Sequence, residues 1–135
     1  MKFIRKIYSL FILAGLLFVS ANLFAQIPDD IILSINEGNS KVLSGYFNQN
    51  VELTVLENDN VYSKAQAQQI VGNFFESHPP REKGFKVIHK SGKEGSQFVI
   101  GSLATVNGVF RVSFLLKQNN GKDYIHQLRI EKQKP

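Results

Sequence analysis

No cysteine occurs in the chain, which excludes a disulfide framework, a thiolate metal site, a cysteine nucleophile and the lipid-bearing cysteine of a lipoprotein. Its absence suits an oxidising compartment without proving one. The three histidines, His78, His89 and His126, show no metal-ligand spacing, so no metal site is expected. Ser91-Gly92-Lys93-Glu94-Gly95-Ser96 lacks the G-x-x-x-x-G-K-[ST] spacing and a following helix, and reads as a hairpin loop. There is no G-x-S-x-G elbow either. Strong basicity is missing too. The 135 residues carry 16 Lys+Arg against 11 Asp+Glu, but Lys2, Arg5 and Lys6 lie in a segment expected to be removed, which leaves 13 against 11. A net charge of +2 is an ordinary surface, not that of a nucleic-acid domain.

What is present first is an export signal. A basic start, an apolar run over residues 7–19 and a short end at residues 20–25 match a secretory signal peptide, with cleavage after Ala25 or Ala21. The alternative is an uncleaved anchor, which Ser9, Ser20, Asn22 and the short apolar core disfavour. The expected location is periplasmic or secreted, with no membrane contact after cleavage. Residues 26–135 then form one domain, enough chain for a single modest core. Its charge is uneven: residues 26–80 hold seven acids and two bases, residues 81–135 four acids and eleven bases.

Pro28, Asp29 and Asp30 open a helix carrying Ile31, Ile32 and Ile35 on one stripe, and Gly38 stops it. Asn39 or Ser40 caps a short second helix with Val42, Leu43, Tyr46 and Phe47 at helical spacing. Val51, Leu53 and Val55 alternate as a strand, closed by residues 58–60. Ser63 and Gln66 form a capping box for a helix burying Ala67, Ile70, Val71, Phe74 and Phe75, ended before Pro79-Pro80. From Gly84 the period becomes two, and strands are expected at 85–90, 97–106, 109–117 and 124–131 as an antiparallel meander.

Asn107-Gly108 is the strongest hairpin signal and pairs Val106 with Val109. That puts Val99, Gly101, Leu103 and Thr105 on one apolar face with Phe110, Val112, Phe114 and Leu116. For the last hairpin, a two-residue loop would bury Gln127, Arg129 and Glu131; a three-residue loop at residues 119–121 turns Tyr124, His126, Leu128 and Ile130 inward and is preferred. Phe85, Val87 and His89 are also expected inward. The expected pocket lining is therefore Gly101, Leu103, Thr105, Phe114, Tyr124, His126 and His89, with Gly101 leaving space for a small apolar ligand. On the outer face Ile88, Ile100, Leu115 and Ile125 form an aliphatic row, the expected surface of a homodimer; the alternative is cover by long lysine side chains.

The element order, with Glu37-Gly38-Asn39, Tyr46-Phe47, Val51-Glu52-Leu53, Asn60-Val61-Tyr62-Ser63-Lys64-Ala65-Gln66-Ala67, Phe74-Phe75 and Gln127-Leu128-Arg129-Ile130-Glu131, resembles the bacterial family DUF4783, a domain of unknown function, over nearly all of residues 27–132. The fold it implies is the nuclear transport factor 2-like (NTF2-like, SnoaL-like) cone, an α+β fold with about three N-terminal helices on a curved antiparallel sheet of about five strands. The resemblance implies export and supplies no catalytic residue. The wider superfamily, which includes ketosteroid isomerase and polyketide cyclases, commonly binds ligands and dimerises.

An isomerase of that kind needs an inward carboxylate, and Glu52, Asp123 and Glu131 all point outward in this register. His126 is the one inward titratable group near mid-sheet, yet no partner for its second ring nitrogen is visible. Arg111 and Arg129 fall opposite each other, to be relieved by Glu52 or Glu131 or by an anion. The expected function is a non-catalytic binding module without cofactor or nucleic-acid partner. The alternatives are an enzyme using His126 as general acid or base, and an interaction protein acting through the outer face.

Overall fold

The computed structural model describes residues 26–134; the expected signal peptide, residues 1–25, lies outside them. Among the described residues no helix is long and apolar enough to cross a membrane. Helix α1, Asp29–Glu37, starts after Pro28 with two acids in its first turn and ends at Gly38, whose φ of +66° costs glycine little. Helix α2, Ser40–Ser44, is capped by Asn39, whose side-chain oxygen accepts from Val42 N at 3.1 Å. Phe47 and Val42 do not join its buried stripe: Val42 is exposed, and Phe47 opens the first strand as a core residue.

Strand β1, Phe47–Val55, turns through Leu56-Glu57 into strand β2, Asn58–Ser63. Residues 58–60, two asparagines and an aspartate, are expected to close β1 as a loop. Instead they form an edge strand held to β1 by backbone pairing from Val55↔Asn58 to Asn50↔Ser63. Helix α3, Lys64–Ser77, has the expected capping box: Gln66 N donates to Ser63 Oγ at 3.3 Å and Ser63 N to Gln66 Oε1 at 3.2 Å. It buries Ala67, Val71, Phe74 and Phe75. Strands β3, Pro80–Lys93, β4, Ser96–Thr105, β5, Gly108–Asn119, and β6, Lys122–Lys132, follow as a meander.

The sheet has six strands, not five, in the order β2-β1-β6-β5-β4-β3, and β1 lies parallel to β6, so it is not wholly antiparallel. The helices cover one face: α1 packs on β3, and α3 on β1 and α2. Between them and the sheet sit Phe47, Leu53, Leu103, Phe110, Phe114, Leu116 and Leu128, all buried.

Two registers differ from expectation. At the β4–β5 turn Thr105 pairs with Gly108, so Leu103 faces Phe110 and Val99 faces Phe114. Thr105 Oγ1 donates to Gly108 O at 2.7 Å and accepts from Asn107 N at 3.1 Å, while Asn107 Nδ2 donates to Ser77 O at 2.6 Å. These bonds centre the turn on Val106-Asn107. The slip moves each strand by one residue in opposite senses and therefore keeps the buried face.

At the β5–β6 turn the loop is the two-residue one, with Asn120 and Gly121 at φ of +53° and +77°. Burial of Gln127, Arg129 and Glu131 is avoided by a bulge. Leu116 pairs with Ile125 and Leu115 with Gln127, leaving His126 as the extra residue and resetting the alternation. Ile125, Leu128 and Ile130 are the inward residues.

Candidate functional site

The inner face brings together Gly101, Leu103, Thr105 and Phe114, all buried. It does not bring in the other three residues of the expected lining. Tyr124 pairs with Lys117 on the outer face, one step from the inward pair Leu116↔Ile125. His126 occupies the bulge. His89 follows a second bulge, at Ile88, and pairs with Ile100 on the outer face. Unbroken alternation and a three-residue loop would put all three inward; the two-residue loop at Asn120-Gly121 sets Tyr124 outward instead, and bulges, which leave no mark in residue type, displace His89 and His126.

The space over Gly101 is occupied. A Cβ there would lie 2.6 Å from Phe85 Cζ, closer still to Cε2, and 2.8 Å from the Lys86 carbonyl oxygen. Phe85 is thus a plug where a pocket floor was expected. It is held by Asn36 of α1, whose side-chain oxygen accepts from Phe85 N at 2.9 Å. At the other end of the core His78 stacks on Phe74, with centroids 4.7 Å apart, and meets Phe110 edge-on at 4.9 Å. Its Nδ1 lies 3.2 Å from Phe74 O, an acceptor only, so this nitrogen carries the proton. His78 closes the core. Among the described residues no three potential ligands group around a metal position.

Burial, and secondarily Lys117, lower the pKa of His126 below the ordinary imidazole value of 6.5. Its imidazole is therefore biased to neutrality beside a cation. Among the described residues no carboxylate or other side chain is hydrogen-bonded to it.

The outer face differs from the expected aliphatic row. Ile125 is fully buried in the core, Ile88 stands in its bulge 65% exposed, and Ile100 pairs with Ser113. Leu115 pairs with Phe98. The apolar cluster of this face is therefore Phe98, Ile100 and Leu115, with Ile88 beside it. Phe98 is not part of the expected row and joins the cluster because the register sets it opposite Leu115.

Around the cluster the charges are arranged by strand. Arg111 faces Glu131, not Arg129, and Ser113 faces Arg129. The Arg129 guanidinium grips one Glu131 oxygen through Nε and Nη2, both at 2.7 Å, so Glu131 relieves Arg129 as one of the two expected outcomes. Glu52 accepts from Gln127 at 3.4 Å, and Asp59 from Thr54 at 3.0 Å. The β1–β2 side is acidic through Glu52 and Asp59; the β3–β5 side is basic through Lys86, Arg111 and Lys117. A hollow of about 570 Å3 opens here between the β3 bulge and residues 131–134, with Ile88, Ile100 and Arg111 in its lining. A wider depression of about 1030 Å3 lies between the β1–β2 turn and the last turns of α3.

The family model for DUF4783, a domain of unknown function, matches residues 28–131. A DUF4783 family protein from Bacteroides ovatus is 36% identical, with a TM-score of 0.74 over 81% of this chain and 97% of that one. Another, from Bacteroides uniformis, is 34% identical, with a TM-score of 0.74 over 82% of this chain and all of that one. A protein of the NTF2-like family from Streptomyces avermitilis shares the fold at 8% identity, with a TM-score of 0.59 over 79% of this chain and 91% of that one. No match was found among curated proteins.

Proposed function

The chain belongs to the DUF4783 family, which supplies a fold and no activity, and on that premise we propose that it is an exported, non-catalytic interaction module that pairs with a second copy of itself through the outer sheet face. The carrying observation is the contiguous cluster of Phe98, Ile100 and Leu115 on the face that no helix covers, with exposed Ile88 at its edge. On the opposite face Phe85 fills the room that an inner ligand would need. In this reading the curved sheet and its helices form a closed cone whose business is done outside.

The charges favour a second copy as the occupant. A two-fold axis along the strands lays β2 over the partner's β3, which sets the acidic side of each copy against the basic side of the other. The same operation brings Val61, 58% exposed on β2, toward the edge that carries Ile88. A small pairing surface of about 1,200 Å2 or more in total suffices for a specific dimer. Proton transfer by His126 is the weaker reading, since the charge that acts on it is Lys117 and no acid orients it.

The test is sedimentation velocity at micromolar concentration on protein exported and processed by a bacterial host from the full chain. A dimer whose N-terminus lies at Gln26 or Asn22 is expected. Leu115→Lys or Ile100→Lys sets a charge in the centre of the contact, costs about 2 kcal/mol or more of association, and gives folded monomers. A wild-type monomer sinks the proposal.

A further inference from the structure

The hollow on the outer face combines two features of a ligand site. Its floor is apolar, from Ile88 and Ile100, and its rim carries three cations, Arg111, Lys132 and Lys134, against one acid, Glu131, which Arg129 engages. Its volume, about 570 Å3, falls within the range of about 300–1,000 Å3 found for small-molecule sites.

Arg111 is the central group. Its cross-strand neighbour is Glu131, but the oxygen of Glu131 that makes short contacts is taken by Arg129. Among the described residues Arg111 has no ion pair within 4.0 Å. A guanidinium left without its acid on a sheet surface has five donors for a bound oxyanion. The wall opposite the β3 bulge is fixed as well. Gln133 N donates to Val109 O at 3.2 Å and Ser102 Oγ donates to Gln133 Oε1 at 2.8 Å, so the C-terminal run is tied across β4 and β5 and carries Lys132 and Lys134 with it.

We infer that this hollow binds a small organic anion with an aliphatic body, its carboxylate on Arg111 and its chain along Ile100 and Ile88. The inference rests on the reading of the outer face as the working face, and it names the chemistry that face selects. The site is built from one chain, so it does not require the dimer. Because Ile88 and Ile100 also border the proposed contact, a bound aliphatic chain would lie at its seam.

The probe is decanoate below its micelle concentration, titrated by calorimetry into the exported, processed protein at fixed ionic strength, with decanol as the uncharged comparator. Saturable binding of decanoate, at least tenfold tighter than decanol and weakening as salt rises, is expected. Arg111→Gln should weaken it about tenfold to a hundredfold, the share of a hydrogen bond to a charged group, while Arg111→Lys retains part of it. Ile88→Ser, at an exposed position that leaves the core alone, should weaken decanoate more than butanoate. Equal binding by wild type and Arg111→Gln overturns the inference, as does equal affinity for decanol. So does adsorption to phosphatidylglycerol vesicles without any binding of free decanoate. Sedimentation of the same samples separates the two proposals: a monomer that still binds decanoate through Arg111 removes the dimer and keeps the anion site, and a dimer blind to decanoate does the reverse.

Discussion

Replacing Gly101 by alanine tests the claim that the inner face is plugged. The added methyl would strike the Phe85 ring and approach the Lys86 carbonyl oxygen at 2.8 Å. Overfilling of this kind costs roughly 1–3 kcal/mol, against which alanine recovers roughly 0.5–1 kcal/mol of strand entropy lost by glycine. The net expectation is a destabilisation of up to roughly 2.5 kcal/mol, or up to about 10 °C in Tm for a domain of this size. Phe85→Ala alone should cost roughly 3–5 kcal/mol by leaving a hole over Gly101. In the double variant the methyl grows into that hole, and only the carbonyl contact remains against it. Urea unfolding of the four proteins should therefore show the two changes compensating by about 1 kcal/mol or more. Additivity to within about 0.5 kcal/mol would refute the reasoning, since it would mean that the ring does not lie over the glycine.

Asn36→Ala removes the acceptor for Phe85 N; the loss should be about 1–2 kcal/mol by urea unfolding, with Asn36→Asp restoring much of it. Ser63→Ala breaks the capping box of α3 and should cost about 1 kcal/mol, read as a lower Tm with unchanged strand signals in circular dichroism. His126 should titrate by NMR below 6.5, because burial and then Lys117 disfavour its charged form. The unfolded chain thus takes up this proton first, so the stabilising contribution is present above 6.5 and is lost as pH falls through that value toward the folded pKa. Lys117→Met should raise the midpoint only part of the way, since burial is the larger cause.

The helices were legible because their signals are local. Pro28 with two acids, Gly38 at a left-handed position and the Ser63–Gln66 box each act within one turn of backbone, and no distant contact overrides them. The strands beyond Gly84 were legible by period, and the inward set of β4 and β5 survived a wrong register because the slip preserved parity. Elsewhere the decisive forces were not local. The Asn107-Gly108 signal gave way to bonds from Thr105 and from the end of α3. Strand β2 is held by pairing to β1 in spite of its asparagines. The bulge at Ile88 turns His89 outward, the two-residue loop at Asn120-Gly121 turns Tyr124 outward and Ile125 into the core, and the bulge at His126 takes that residue out of the expected pocket while returning Leu128 and Ile130 inward. The candidate site was the part most exposed to this error, since membership of a face depends on counting residues without interruption.

The parallel contact between β1 and β6 also governs the order in which this molecule can become itself. Those two strands sit side by side in the middle of the sheet, although residues that touch across them, such as Glu52 and Gln127, are 75 positions apart in the chain. Until β6 is in place, the β1–β2 hairpin and the β3–β4–β5 meander are two fragments, each with an open edge and an uncovered apolar side. Searching out so distant a partner is slow compared with forming a helix, so the final strand acts as the closing piece of the whole architecture. Anything that delays or captures residues 122–132 holds these two fragments apart, and that strand is the one that joins them into a single body.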